Sequence, residues 1–312
     1  MNSFMIALNV VLPLVFLMII GYIIKERKMV TKDAFKQMNT IVYSILIPSV
    51  LLKNIMETDL SVSFQPKLIV YAVLSIFLLC TVLCIFIPKI EKDRKRAGAM
   101  IQAMYRSNFI LFGLTLVGNM YGTDNVAVTS VLIAICVPLF NIISTIVLEY
   151  YGKETVSFGS LFKGVLSNPM VIGTIVGFTI LLSGIQLPVF VKETIGDIGQ
   201  MTTPLSLLVL GGTFEVPSLR NNMKSLCIVN LGKLIVVPLI FVSGAIALGY
   251  RNVELMSLLV LFGSPVAVSS YAMAVEMNCD DTLASQAIVT TTIFSIITMI
   301  FWIFGLNYLG MI

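Results

Sequence analysis

Apolar residues in this chain run in stretches of about twenty, and short segments between them hold most of the charge. A helix rising 1.5 Å per residue needs about 20 residues to cross a bilayer core of about 30 Å. Stretches of that length fall at 6–24, 37–56, 67–88, 97–121, 126–149, 161–183, 195–214, 224–249, 253–277 and 283–309. The pattern predicts an all-α polytopic membrane protein with ten transmembrane helices. The fourth, seventh and ninth stretches are the least uniform, because Arg106, Asn108, Pro204, Ser264 and Pro265 interrupt them.

Shifting the chain by 156 residues lays the spans on one another. Pro13 falls on Pro169, Gly21 on Gly177, Pro48 on Pro204, and Asn108 on Ser264. Residue identity in this overlay is near chance, so the register of prolines and span centres carries the signal. Each half holds five spans, an odd number, and the second half therefore enters the bilayer upside down. The expected plan is a 5+5 inverted repeat with broken fourth and ninth helices. Residues 1–150 form one repeat, 151–160 a short cytoplasmic connector and 161–312 the other. Paired breaks in such a repeat are the plan of secondary carriers.

Composition agrees. The chain is 58% hydrophobic and 12% charged, about half the charge a soluble surface carries. It has no histidine, which excludes a Ser-His-Asp triad and a His-Glu-x-x-His zinc site. No P-loop and no Thr-Val-Gly-Tyr-Gly filter occurs. The five cysteines show no metal-ligand spacing and read as packing residues. A net charge of +4 is too small and local for nucleic acid. The expectation is a non-enzyme with no required cofactor, although sodium or proton coupling stays open.

The loop cations orient the chain. With the N-terminus outside, the cytoplasmic loops hold the clusters 25–36 and 89–96 together with Lys153, Lys163, Arg220 and Lys224. The external loops hold only Lys53, Lys67, Lys192 and Arg251. The positive-inside rule then places both termini outside a multi-pass cell-membrane protein. The basic cluster after the first span, with no cleavage site, makes that span a membrane anchor and not a secretory leader.

The chemistry concentrates at the broken spans. Pro265 lacks an amide hydrogen and Gly263 tolerates unusual backbone angles, so the ninth span should open around 261–265. Freed backbone groups at membrane depth must line a cavity or find side-chain partners. Half-helix N-termini favour a bound anion. The candidate substrate-binding residues are Arg106, Ser107, Asn108 and Phe109 in the fourth span, with Ser264, Pro265 and Ser269 in the ninth. Gly113, Gly263 and Pro265 are the candidate helix-break residues. Arg106 either snorkels to the cytoplasmic surface or serves an anion pathway. Lys233 raises the same question, and Glu215 is a candidate counter-charge. Gln102, Asn141, Gln286 and Thr290 to Thr292 either line the same interior or bond between helices.

The ninth-span stretch from Ser264 to Tyr271, and the fourth-span stretch from Asn108 to Leu116 with its Gly113, resemble the auxin efflux carriers. That family includes bacterial organic-acid permeases and the plant PIN proteins. Thr115 and Ile110 stand where the family commonly has proline and glycine, and Ser264 stands near the ninth-span asparagine of PIN proteins. The resemblance implies a fold like that of bile-acid sodium symporters. Spans 1, 2, 6 and 7 would form a scaffold, and spans 3–5 and 8–10 a moving transport domain. It further implies a small organic carboxylate substrate contacted by Asn108, an elevator-like motion, and a homodimer joined through the scaffold in the lipid bilayer. A passive anion channel is the rival expectation.

Overall fold

A computed structural model describes residues 3–58, 64–122, 125–154 and 157–312. Fourteen helices follow one another, and no strand occurs among the described residues. They are α1 (Ser3–Glu26), α2 (Lys32–Met56), α3 (Pro66–Ile90), α4 (Arg94–Tyr105), α5 (Phe109–Tyr121), α6 (Ala127–Gly152) and α7 (Phe158–Leu166). Then come α8 (Pro169–Ser183), α9 (Val189–Gln200), α10 (Thr202–Thr213), α11 (Leu219–Ala247), α12 (Asn252–Gly263), α13 (Ser269–Glu276) and α14 (Asp281–Tyr308).

Six of these are long and apolar enough to cross a membrane, or seven if α7 and α8 make one span bent by 59°. The protein is thus a polytopic, all-helical membrane protein. The sequence pattern counts ten spans because it joins apolar pieces across their breaks, of which those in the fourth and ninth were expected. The stretch at 97–121 divides at 106–108, 161–183 at 167–168, 195–214 at Met201, and 253–277 at 264–268. The α7–α8 bend was legible in Asn168-Pro169. Proline suits the first helical position, and the Asn168 side chain caps α8 by accepting from the Met170 amide (2.9 Å).

Two helices change pitch just before a proline. In α2 a π-turn at Val42–Leu46 precedes Pro48, and in α11 one at Gly232–Val236 precedes Pro238. A proline denies an amide to the carbonyl four residues earlier, and a wider turn relieves its ring. At Pro238 that carbonyl belongs to Leu234, and the indole of Trp302 donates to it (3.0 Å).

The helices pack in two groups. In one, α1 lies along α10 while α2 lies against α8 and α9. A Cβ at Gly21 would collide with the Leu208 carbonyl, and one at Gly211 with the Met18 carbonyl, so α1 and α10 meet backbone to backbone. In the other group α3–α6 and α11–α14 enclose the densest core, where every residue from Leu255 to Val268 is buried. The groups meet where α1 touches α14 and α2 touches α13. There the Thr40 hydroxyl donates to the Glu276 carboxylate (2.9 Å).

Candidate functional site

The site lies where two broken helices cross. α4 stops at Tyr105, Arg106 is extended (φ −83°, ψ 121°), and α5 starts after Asn108. α12 stops at Gly263, Ser264 is extended (φ −69°, ψ 157°), and α13 starts at Ser269. The two unwound segments run antiparallel with Ser107 bridged to Val266, and the Asn108 amide donates to the Pro265 carbonyl (2.8 Å). The Val266 amide donates to the Thr291 hydroxyl (3.2 Å). Two unwound backbone segments thus satisfy part of each other's hydrogen bonding.

Pro265 sets the rest of the local chemistry. It supplies no amide to the Leu261 carbonyl four residues back. The Ser107 hydroxyl donates to that oxygen instead, and the Lys233 ammonium donates to the Ser107 oxygen. All three residues are buried, Lys233 with no exposed surface.

Arg106 is 3% exposed and does not snorkel. Its guanidinium donates to Asn141 Oδ1 (2.7 Å), Ser269 Oγ (2.7 Å) and Ser144 Oγ (3.0 Å), and rests against the Met273 sulfur. The sequence offered Asn141 only as one of several interior polar residues, and gave no signal for Ser144 or Met273. Neither Arg106 nor Lys233 forms an ion pair with a described carboxylate. Glu215 is therefore not the counter-charge. It lines a separate polar cavity of about 450 Å³ with Lys25, Lys32, Lys36, Tyr271 and Asp281.

Two small adjoining cavities open at the crossing, about 90 and 50 Å³ in volume, and Arg106, Asn108 and Ser269 line both. Ser107 and Phe109 line the smaller one. Across the larger, α2 contributes Ile47, Val50 and Leu51, and α10 contributes Thr202, Thr203 and Ser206, none of which the sequence singled out. The Asn108 side chain does not cap α5 and remains available to the cavity.

Other candidates fall elsewhere. Ser264 lies outside both cavities, fully buried, with its hydroxyl lacking a partner. Pro265 and Gly263 line neither cavity and act through the backbone. Gly113 is not at the break. It lies inside α5, where a Cβ would press on Thr129 (3.1 Å) and the Phe109 ring (3.2 Å), so its smallness serves packing. Gln286 bonds Asn222, Ser218 and the Glu215 carbonyl, and Thr290 bonds Asn230, so both join helices away from the crossing.

Comparison with known proteins finds a family model described as "Membrane transport protein", which matches residues 6–158 and 155–303. An uncharacterized transporter of Methanocaldococcus jannaschii is 24% identical over 309 residues, covering 96% of this chain and 98% of the relative. An uncharacterized transporter of Methanothermobacter thermautotrophicus is 22% identical over 302 residues, with 96% and 98% covered.

Proposed function

Because the chain belongs to the auxin efflux carrier family of membrane transport proteins, we propose that it is a secondary carrier moving a small organic carboxylate across the cell membrane. It is a transport protein and not an enzyme. The observation that carries the substrate class is Arg106, a buried cation lining both cavities with no described carboxylate paired to it. Burying an ion costs several kcal/mol, and no opposite charge among the described residues offsets it here. An anion seated beside Arg106 would. Arg106 directs four of its five donors to Asn141, Ser144, Ser269 and the Met273 sulfur, so it contributes mainly field. Direct donors would be the Asn108 side-chain amide, the Ser269 hydroxyl and the first-turn amides of α5, since the Ser270 and Tyr271 amides of α13 already donate to the Ala267 and Val268 carbonyls. The opposite wall of Ile47, Val50, Leu51 and Val137 suits a carbon skeleton, which favours a carboxylate over an inorganic anion.

In this reading the pieces, joined across their breaks, would make ten passes in two inverted halves. A twofold axis lets a residue touch its repeat mate only on the axis itself. The Thr202 hydroxyl donates to the Leu46 carbonyl, 156 positions away, and Ser107 bonds Leu261, 154 away, which supports that symmetry. Spans 1, 2, 6 and 7 would then be a scaffold, and spans 3–5 and 8–10 the moving unit. The larger cavity lies on the seam between them, as an elevator-like motion needs. In this reading the termini lie outside and two copies associate through the scaffold.

The test is uptake into proteoliposomes across a panel of small carboxylates. Saturable uptake, accelerated by substrate on the opposite side, is expected. Non-saturating flux without trans-stimulation would indicate a passive channel, and no flux of any carboxylate would remove the substrate class.

A further inference from the structure

Lys233 lines neither cavity at the crossing. It approaches from the other side, out of a π-turn in α11, and a buried lysine there needs its own account. The neighbouring Gly232 brings α11 so close to α4 that a Cβ would strike the end of the Met104 side chain. That approach delivers the ammonium to Ser107, at the centre of the crossing.

We propose that the Lys233 ammonium is a tethered monovalent cation at the back of the crossing, so that the site assembles without sodium or any other alkali-metal ion.

The argument starts from the oxygens. Broken helices at membrane depth leave carbonyls whose partial negative charge must meet donors or a cation. In transporters of this plan, unwound carbonyls are a natural place to coordinate a small cation. Here the Leu261 carbonyl, denied an amide by Pro265, accepts the one proton of the Ser107 hydroxyl. An ammonium can only donate, so Lys233 takes a lone pair of that hydroxyl and forces its proton toward Leu261. One charge thereby orients the hydroxyl that caps the Leu261 carbonyl. Lys233 has no exposed surface and forms no ion pair with a carboxylate among the described residues. Unlike a dissolved ion, this cation returns with the protein after each cycle and is not itself transported. The inference rests on the crossing being the transport site, and not on the identity of the carboxylate.

The test begins with purified wild-type protein, its melting temperature compared in sodium, potassium, lithium and choline chloride at equal ionic strength. The four values should agree within about 1 °C, whereas an ion bound only by the folded state raises the melting temperature. A sodium- or lithium-specific rise of more than about 3 °C would overturn the proposal. This arm needs no substrate, so it reads out even if every carboxylate fails. A second arm uses Lys233→Ala, which vacates the position, and Lys233→Arg, which keeps the charge. Lys233→Ala should melt lower than wild type and regain stability in methylammonium or sodium but not in choline, while Lys233→Arg should stay insensitive to cations. A Lys233→Ala protein as stable as wild type in choline would overturn the proposal. In proteoliposomes at clamped potential, equal uptake with external sodium or choline is expected, and sodium-dependent uptake would also overturn it.

Discussion

Pro238 and Pro265 create the same defect in two places and are repaired differently. Each withholds an amide from the carbonyl four residues before it. At Pro238 the orphan is Leu234 O, filled by Trp302, a neutral donor. At Pro265 the orphan is Leu261 O, filled by Ser107, which is held in turn by a buried ammonium. The first repair keeps α11 continuous through a π-turn, and the second leaves 264–268 unwound. A neutral partner suffices where the helix only bends. Charge is recruited where the break faces a cavity beside Arg106 and Asn108. The contrast separates a proline that shapes the fold from one that builds a site.

The sharpest way to break this comparison is to restore both amides. Pro265→Ala should let the ninth span close across 261–265, displace Ser107 from Leu261 and abolish transport while the protein remains monodisperse. Pro238→Ala should leave transport near the wild-type rate. Equal behaviour of the two variants in a reconstituted uptake assay would erase the distinction.

Removing the repairs comes next. Ser107→Ala strands both a carbonyl and an ammonium, and each buried group left unsatisfied costs about 1–3 kcal/mol, more where it is charged. The expected result, read by thermal or denaturant unfolding, is a much larger loss than for Trp302→Phe. That change strands one neutral carbonyl at about 1–3 kcal/mol and should leave transport per folded molecule unchanged.

Asn108→Ala sharpens the cavity side. A hydrogen bond from its amide to a carboxylate is worth about 1.5–3 kcal/mol, so substrate affinity should fall about tenfold to hundredfold. Asn108→Asp should bind more weakly still, because it sets a negative charge against an anion. Calorimetry with the transported carboxylate checks both, and unchanged affinity would take Asn108 out of the site.

The smallest effect belongs to the tight seam of the first helix group. Gly211→Ala places a methyl against the Met18 carbonyl and forces α1 from α10, and overpacking of this kind costs about 1–3 kcal/mol. The melting temperature should drop while substrate affinity holds.

Much of this was legible in the chain. Pro265 and Gly263 mark one break, and Arg106 with Asn108 marks the other, because polar and helix-breaking residues in apolar runs have few other uses. Partners were not legible, since they are set by packing between distant helices. Nothing local ties Lys233 to Ser107, 126 positions away, or Arg106 to Ser269, 163 positions away. Glu215 looked suited to a buried cation by charge alone, and the fold sends it to another cavity. Gly113 looked like a break residue by type, yet a helical glycine can equally serve a close contact. Asn168 shows the reverse failure. Its capping role was readable beside Pro169, but not its bonds to Thr145 (2.7 Å) and Tyr43 (3.0 Å).

The bond from Thr40 to Glu276 joins one helix of each group at an exposed position. A hydrogen bond there nets about 0.5–1.5 kcal/mol against water. Under the proposed elevator-like motion it would break, and by itself it would weight the arrangement seen here over its alternative by roughly two- to twelvefold. That is a thumb on the scale and not a lock. A carrier held far more tightly in one state would be slow to turn over, and this contact alone would impose no such hold.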